Sequence, residues 1–291
     1  MIKKILSFDN IPIRYLIKKG EKECVLFLHG VGGGYQCWKP IYNYLHEKGH
    51  SVIALDLRSH GKSGKPIKNN CNMLSIIKDI NLILNKEGIN KISLVGHSYG
   101  TFVAINYYSK FKEKVSNIVL MGSHHNPAKD NSFKYGLNIF MLIPKILSLF
   151  YKKDKFFEID FSKYKGRSDY DIPKICKEII SVTPYRYINF ASEMSKFNYK
   201  DYVDDIKIPL LLIHGTIDIC VNKKIPYEFN SEVSNSRLIY YKGINHHTPV
   251  NCPDDIRVSL FDFFTSYEKL DENLQKRSLI NEEKVFLINP L

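Results

Sequence analysis

Ser98 stands at the centre of Gly96-His97-Ser98-Tyr99-Gly100, a G-x-S-x-G pattern flanked by two different kinds of apolar run. Before it, Lys91-Ile92-Ser93-Leu94-Val95 reads as a short strand. After it, Thr101-Phe102-Val103-Ala104-Ile105-Asn106-Tyr107-Tyr108 reads as the start of a helix. A serine on so tight a strand-to-helix turn projects its hydroxyl from the end of a sheet, beside the positive end of a helix dipole. The chemistry this serves is nucleophilic attack. A serine hydroxyl is a weak nucleophile at neutral pH, so it needs a base to take its proton and an acid to orient that base. Bare G-x-S-x-G also occurs as an ordinary glycine-rich turn; the strand and helix around it favour the nucleophile. Partner candidates follow along the chain. Asp218 lies just past the apolar run Leu210 to His214, and His246 and His247 lie just past a run ending at Tyr241. A turn or helix cap is the plainer reading of Asp218, and its position favours the catalytic one. Its place beyond a strand, like that of the histidines, is where ligands gather in open α/β sheets.

The elements that must position these residues alternate. Ile2 to Phe8 and Ile11 to Ile17 read as adjacent strands, and Cys24-Val25-Leu26-Phe27-Leu28 as a strand buried on both faces. A helix is expected over 38–48, a strand over 51–55, an amphipathic helix over 73–87 and a strand over 115–121. Strands alternating with helices imply a parallel sheet covered on both faces. From His124 to about Asp205 the strand-like runs stop and helical periodicity takes over. The alternation then resumes with strands at 209–214 and 237–241 and helices at 223–230 and 253–267. The expected organisation is a first core part over 1–123, a helical cap over 124–205, a second core part over 206–268 and an extension over 269–291.

With these stretches in place the chain resembles the α/β-hydrolase superfamily over nearly all of residues 1–268. Leu28-His29-Gly30-Val31-Gly32-Gly33, followed by Trp38, looks like that family's oxyanion loop. Asp56-Leu57-Arg58-Ser59-His60-Gly61-Lys62-Ser63 resembles its D-x-R-G-H-G-x-S loop, with Ser59 in place of a glycine. Gly215-Thr216-Ile217-Asp218 resembles the acid loop. Asn245-His246 with Pro253 seven residues on resembles the G-H motif, and that spacing selects His246 over His247. Asn245 replaces the usual glycine there, and asparagine tolerates the left-handed backbone such a turn needs. The resemblance implies a mostly parallel, eight-stranded α/β-hydrolase sheet with helices on both faces and an inserted helical cap. It implies Ser98 as nucleophile, Asp218 as acid, His246 as base, and the backbone amides of Val31 and Tyr99 as oxyanion donors. His29 and His97 read as supporting residues hydrogen-bonded within their loops.

The composition is that of a globular protein, with 44% hydrophobic and 13% aromatic residues in 291. Formal net charge is +12, from 42 basic and 30 acidic side chains. Residues 124–200 hold 14 basic against 8 acidic ones, a surplus of six. No zinc-finger, RNP-type or basic-zipper pattern accompanies that charge, so nucleic acid is not an expected partner. No H-E-x-x-H and no phosphate-binding glycine loop is present, and the expected chemistry needs no metal and no organic cofactor. The six cysteines are scattered without a C-x-x-C pair, which fits a reducing compartment and a cytoplasmic protein. The apolar run 137–150 contains Asn138, Pro144, Lys145 and Ser148 and reads as too short and interrupted to cross a bilayer. With Lys152, Lys153 and Lys155 just after it, the same run resembles an interfacial helix, so peripheral membrane or lipid contact through the cap is an expectation.

The expected reaction is cleavage of a carboxylic ester with an acyl or otherwise lipophilic part, through an acyl-enzyme. Phe133, Phe140 and Met141 are candidate substrate-binding residues within the cap. Thioesterase, amidase, carbon–carbon hydrolase and acyltransferase chemistry use similar triads, so fold and triad together leave the reaction open. Dehalogenases and epoxide hydrolases of the superfamily use an aspartate nucleophile, against which Ser98 speaks. A small-molecule receptor with little turnover is the rival from another class.

Overall fold

The computed structural model describes residues 1–66, 71–151, 157–273 and 285–290. Its strands are β1 (Ile2–Leu6), β2 (Pro12–Lys18), β3 (Lys22–Leu28), β4 (His50–Leu55), β5 (Ile92–His97), β6 (Val115–Met121), β7 (Leu210–Gly215), β8 (Ser236–Tyr241) and β9 (Val285–Ile288). They form one sheet in the order β1-β2-β4-β3-β5-β6-β7-β8-β9. The pairs β1/β2 and β2/β4 are antiparallel and the rest parallel. The sheet is thus mostly parallel, with nine strands where eight were expected. The ninth comes from the C-terminal extension, where Val285–Ile288 pairs with Leu238–Tyr241. Four residues beyond a polar stretch are too few for alternation to register, and only the open edge of β8 makes them a strand.

The central strands are buried on both sides, so neighbouring residues feed opposite layers. Leu26 and Leu28 join one core, with Ile77, Ile80 and Leu84 of helix α2 (Met73–Glu87) and Val103 and Tyr107 of helix α3 (Tyr99–Lys110). Val25 and Phe27 join the other, with Ile41 and Leu45 of helix α1 (Lys39–Glu47) and Ile256 and Leu260 at the start of the C-terminal helix, 253–273. Local chemistry sets helix ends. The Asn72 side chain accepts the Ser75 N–H at the start of α2, and Gly88 closes it in the left-handed region at φ 70°.

Between β6 and β7 the chain forms α4 (Asn131–Phe140), α5 (Leu142–Phe150), α6 (Ile172–Val182), α7 (Pro184–Lys196) and the single turn α8 (Lys200–Val203), and no strand among the described residues. Asp130 caps α4 through the Phe133 N–H and Asp171 caps α6 through the Lys174 N–H. Helical bonding runs on through Met141, whose N–H reaches the Leu137 carbonyl and whose carbonyl takes the Lys145 N–H. The apolar helical stretch therefore covers Phe133–Phe150, 18 residues, rather than starting at 137, and only 12% of it is buried. By length and composition it is long enough to cross a membrane, which corrects the sequence expectation. Asn138, Pro144, Lys145 and Ser148 do not stop the helix, and a proline in the first turn of α5 costs little because that N–H has few partners. The remaining helices are α9 (Lys224–Glu232), α10 (Thr248–Asn251) and α11 (Pro253–Asn273).

Strand order places the site. The chain leaves β3 toward β4 on one side and β5 toward β6 on the other, so the loops after β3 and β5 diverge at a topological switch point. The loops after β7 and β8 open at the same edge, because all these strands run parallel.

Candidate active site

Ser98 is the joint between β5 and α3, with φ 50° and ψ −117°, a strained backbone for a residue with a side chain. The turn closes so tightly that a Cβ at Gly100 would sit 2.1 Å from the Leu28 carbonyl oxygen. Only glycine lets α3 begin against β3 in this way. Tyr99 is the first residue of α3, so its amide is among those with no acceptor inside the helix. Across the switch point the Gly33 N–H bonds the Gly30 carbonyl at 3.1 Å, and Val31 occupies the corner of that turn.

His246, from the loop after β8, reaches Ser98: its Nε2 lies 3.0 Å from Oγ. Its Nδ1–H donates to Asp218 Oδ2 at 2.8 Å. The second carboxylate oxygen of Asp218 accepts the N–H groups of Cys220 and Val221 at 2.7 and 2.9 Å. The chain of bonds fixes the tautomer, leaving Nε2 as the acceptor for the serine proton. Burial opposes ionisation of Asp218, but the charge and hydrogen bond of His246, with His214 and the Val221 N–H, hold its carboxyl below the usual carboxylate value. Burial likewise opposes charging His246, and the Asp218 carboxylate, helped by Asp169, outweighs it and raises the imidazole above its ordinary 6.5. Gly122, at φ 58°, passes directly behind this ring: a Cβ there would lie 2.9 Å from His246 Cε1.

The neighbouring histidines are neutral scaffolding. His29 takes the Leu57 N–H on Nε2 and donates from Nδ1 to the Gly30 carbonyl, and burial lowers it to about 4. His97 donates to the His246 carbonyl at 3.0 Å and burial lowers it to about 3. His247 stacks on His97 at 4.8 Å and accepts on Nδ1 from Ser168 and Lys174. Asp56 accepts the N–H groups of Tyr35 and Lys62, which pins the loop after β4 beneath the glycines. In the same loop Arg58 is buried against Asp79 and Asp9.

Two loop substitutions resolve differently from expectation. Asn245 is not among the residues with positive φ; instead its side-chain oxygen accepts the N–H groups of His246 and Ile219, tying the histidine loop to the acid loop. The left-handed position is Ser59, at φ 66°, where the family pattern has glycine.

The helical segment supplies residues that no motif marked. Asp169 accepts the His247 N–H at 3.1 Å and the Asn251 amide at 2.6 Å. Lys174 is buried, with Nζ 2.8 Å from Glu178 and 3.3 Å from both His247 Nδ1 and the Ser168 carbonyl. A Cβ on Gly32 would lie 2.8 Å from the Glu178 Cβ, so α6 rests on the oxyanion-type loop as well as on the histidine loop. Phe190 of α7 packs its ring on Tyr99 and His60 at 5.0 and 5.1 Å. Phe133 meets His124 edge-on, His124 pairs with Asp130, and Met141 is buried at the joint of α4 and α5. Only the backbone of Phe140 lies within the described residues. His125 stacks on Phe229.

One group among the described residues has the donors and spacing for a metal: Asp218, Cys220 and His246, with ligand atoms within 4.8 Å of one another. A cation there would compete with the hydrogen bond between Nδ1 and Oδ2.

A family profile described as the alpha/beta hydrolase fold matches residues 23–142, from β3 through the serine turn to α4. The chain has the α/β-hydrolase fold. The solved esterase EaEST from Exiguobacterium antarcticum superposes on it with a TM-score of 0.72 at 20% identity, covering 92% of this chain and 100% of that one. The 2-hydroxy-6-oxo-6-(2'-aminophenyl)hexa-2,4-dienoic acid hydrolase of Metapseudomonas resinovorans is 22% identical over 277 residues, 91% of each chain. Protein ABHD8 of Homo sapiens is 22% identical over 255 residues, 84% of this chain. The chain spans only 56% of the length of ABHD8.

Proposed function

We propose that this protein is a serine hydrolase that cleaves carboxylic esters through an acyl-enzyme. The observation that carries the reading is the unbroken bond chain Ser98–His246–Asp218, at 3.0 and 2.8 Å. As Ser98 Oγ attacks the carbonyl carbon, its proton passes to His246 Nε2 and the carbonyl electron pair moves to oxygen. The imidazolium is stabilised by Asp218, which keeps its own charge. The amides of Val31 and Tyr99 receive the oxyanion, each such donor being worth about 100- to 1000-fold in rate. The tetrahedral adduct collapses, the carbon–oxygen bond breaks, and His246 returns its proton to the leaving alcohol. Water, deprotonated by the same histidine, then releases the acid.

The lipophilic part of the substrate is assigned to the layer of α4 to α7, where Phe190 reaches Tyr99 and to which Phe133, Phe140 and Met141 belong. Six unpaired cysteines support a cytoplasmic setting. A second reading, hydrolysis of a carbon–carbon bond next to a carbonyl, is favoured by the end-to-end match to the dienoic acid hydrolase. A fluorophosphonate probe tests the serine: rapid labelling at Ser98, lost in Ser98→Ala, is expected, and an unlabelled wild type sinks the proposal. Esters of p-nitrophenol with lengthening acyl chains test the substrate. Rates rising beyond acetate are expected, whereas strict preference for acetate, or turnover of vinylogous diketone acids alone, favours the other readings.

A further inference from the structure

Helices α4 and α5 carry apolar side chains on two opposite faces. The inner face holds Phe133, Leu137, Met141 and Pro144, half-buried or buried, and α5 packs there on α6 and α7. The outer face holds Tyr135, Ile139, Leu142, Ile146, Leu149 and Phe150, and these are 71, 53, 53, 58, 70 and 74% exposed. Tyr135, Ile139, Leu142, Ile146 and Leu149 follow one another at four and three residues, which places them on one line of a helix about 21 Å long at 1.5 Å per residue, and Phe150 adjoins its end. Ordinary surfaces scatter large apolar residues singly; a continuous stripe of six marks a surface that meets something. The inner face is already committed to the protein, so the stripe can be covered only from outside.

We propose that this face seats the protein on an anionic lipid bilayer, with α4 and α5 lying in the plane of the interface. Charge decides the occupant. Residues 124–200 carry a surplus of six positive charges, and Lys145 is exposed on the same helix as the stripe. A second copy docking face to face would bring two such basic regions together, whereas a surface of acidic headgroups neutralises them. One side of the helix pair being packed on α6 and α7 makes the contact peripheral and not a crossing. The proposal rests on the ester-hydrolase reading only for what the bilayer delivers, a lipophilic substrate beside the layer that covers Ser98. The binding itself needs no turnover.

Flotation of the full chain with vesicles tests it. Vesicles of phosphatidylcholine containing phosphatidylserine are expected to carry the wild type at low salt and to release much of it at high salt. Leu149→Glu with Phe150→Glu, both exposed and outside the catalytic machinery, is expected to lower the partition coefficient by about tenfold or more. That double variant should keep its wild-type rate on a soluble p-nitrophenyl ester and its circular dichroism, which separates lost binding from lost fold. Wild type that stays in solution with acidic vesicles at low salt overturns the proposal. So does equal binding to phosphatidylcholine alone, for the charge argument. A wild-type dimer that the double variant abolishes, without vesicle binding, assigns the face to a second copy instead. Absence of any esterase activity with vesicle binding intact rejects the proposed reaction and leaves the membrane contact standing.

Discussion

In the sheet, Leu26, Leu94, Ile118 and Leu210 lie side by side in four parallel strands and are almost completely buried, and the loops after β5, β7 and β8 meet with hydrogen bonds of 2.8 and 3.0 Å. In the helical layer over it, α4 and α5 leave Tyr135, Leu149 and Phe150 more than two-thirds exposed, and the layer meets the histidine loop through a few polar contacts of Asp169 and Lys174. A parallel sheet is rigid because each strand is held on two edges and two faces, so it can set a proton-transfer distance. Helices joined by loops pack on that platform with fewer constraints, and they are suited to choosing a ligand rather than performing the step.

This contrast can be broken most severely at the sheet edge. Ser98→Ala should lower kcat/KM by about 10⁴- to 10⁶-fold with unchanged circular dichroism. Activity within tenfold of wild type would place the chemistry elsewhere. Asp218→Asn should cost about 10⁴ in kcat, since the amide favours the wrong tautomer of His246. It also fixes a sign for the pH profile. The base works as neutral imidazole, so the rate should rise with pH through a value above 6.5 in the wild type. Removing the carboxylate that raises the imidazole should move the limb to lower pH; a shift the other way contradicts the geometry. Gly122→Ala should cost about tenfold to a hundredfold in kcat, because the new methyl displaces the ring from behind. An unaffected kcat there would show that the histidine loop adapts.

Changes in the helical layer should be milder. Asp169→Asn removes a charge that helps raise His246 and weakens the hold on the His247 N–H; we expect a loss of about tenfold or less and a small shift of the acid limb to lower pH. A collapse comparable to Asp218→Asn would make Asp169 part of the proton relay. Leu149→Glu with Phe150→Glu should leave the soluble-ester rate within about twofold, as both side chains already stand in solvent.

How much of this was legible depended on the range of the interactions. The buried strands announced themselves as continuous apolar runs, and α2 and β6 match their sequence ranges residue for residue. β9 was illegible because four residues acquire strand geometry only from the edge they join. Asn245 was read as a substitute for glycine on backbone tolerance, yet its side chain bridges two loops and its φ is not positive. The left-handed backbone instead falls on Ser59, which the D-x-R-G-H-G-x-S pattern had marked as standing in a glycine's place. Asp169, Lys174 and Glu178 were missed altogether. Their partners lie dozens of residues away, and a lysine or aspartate in a helical, basic stretch reads as solvated surface.

The serine turn and the order of its partners belong to the sequence, because tight turns and buried strands demand particular residue types at particular places whatever surrounds them. How α6 grips the loops of Gly32 and His247, and which apolar face of α4 and α5 is left bare, were decided by the tertiary structure. Those outcomes depend on what packs across the fold, and contacts between distant segments leave no periodic trace along the chain.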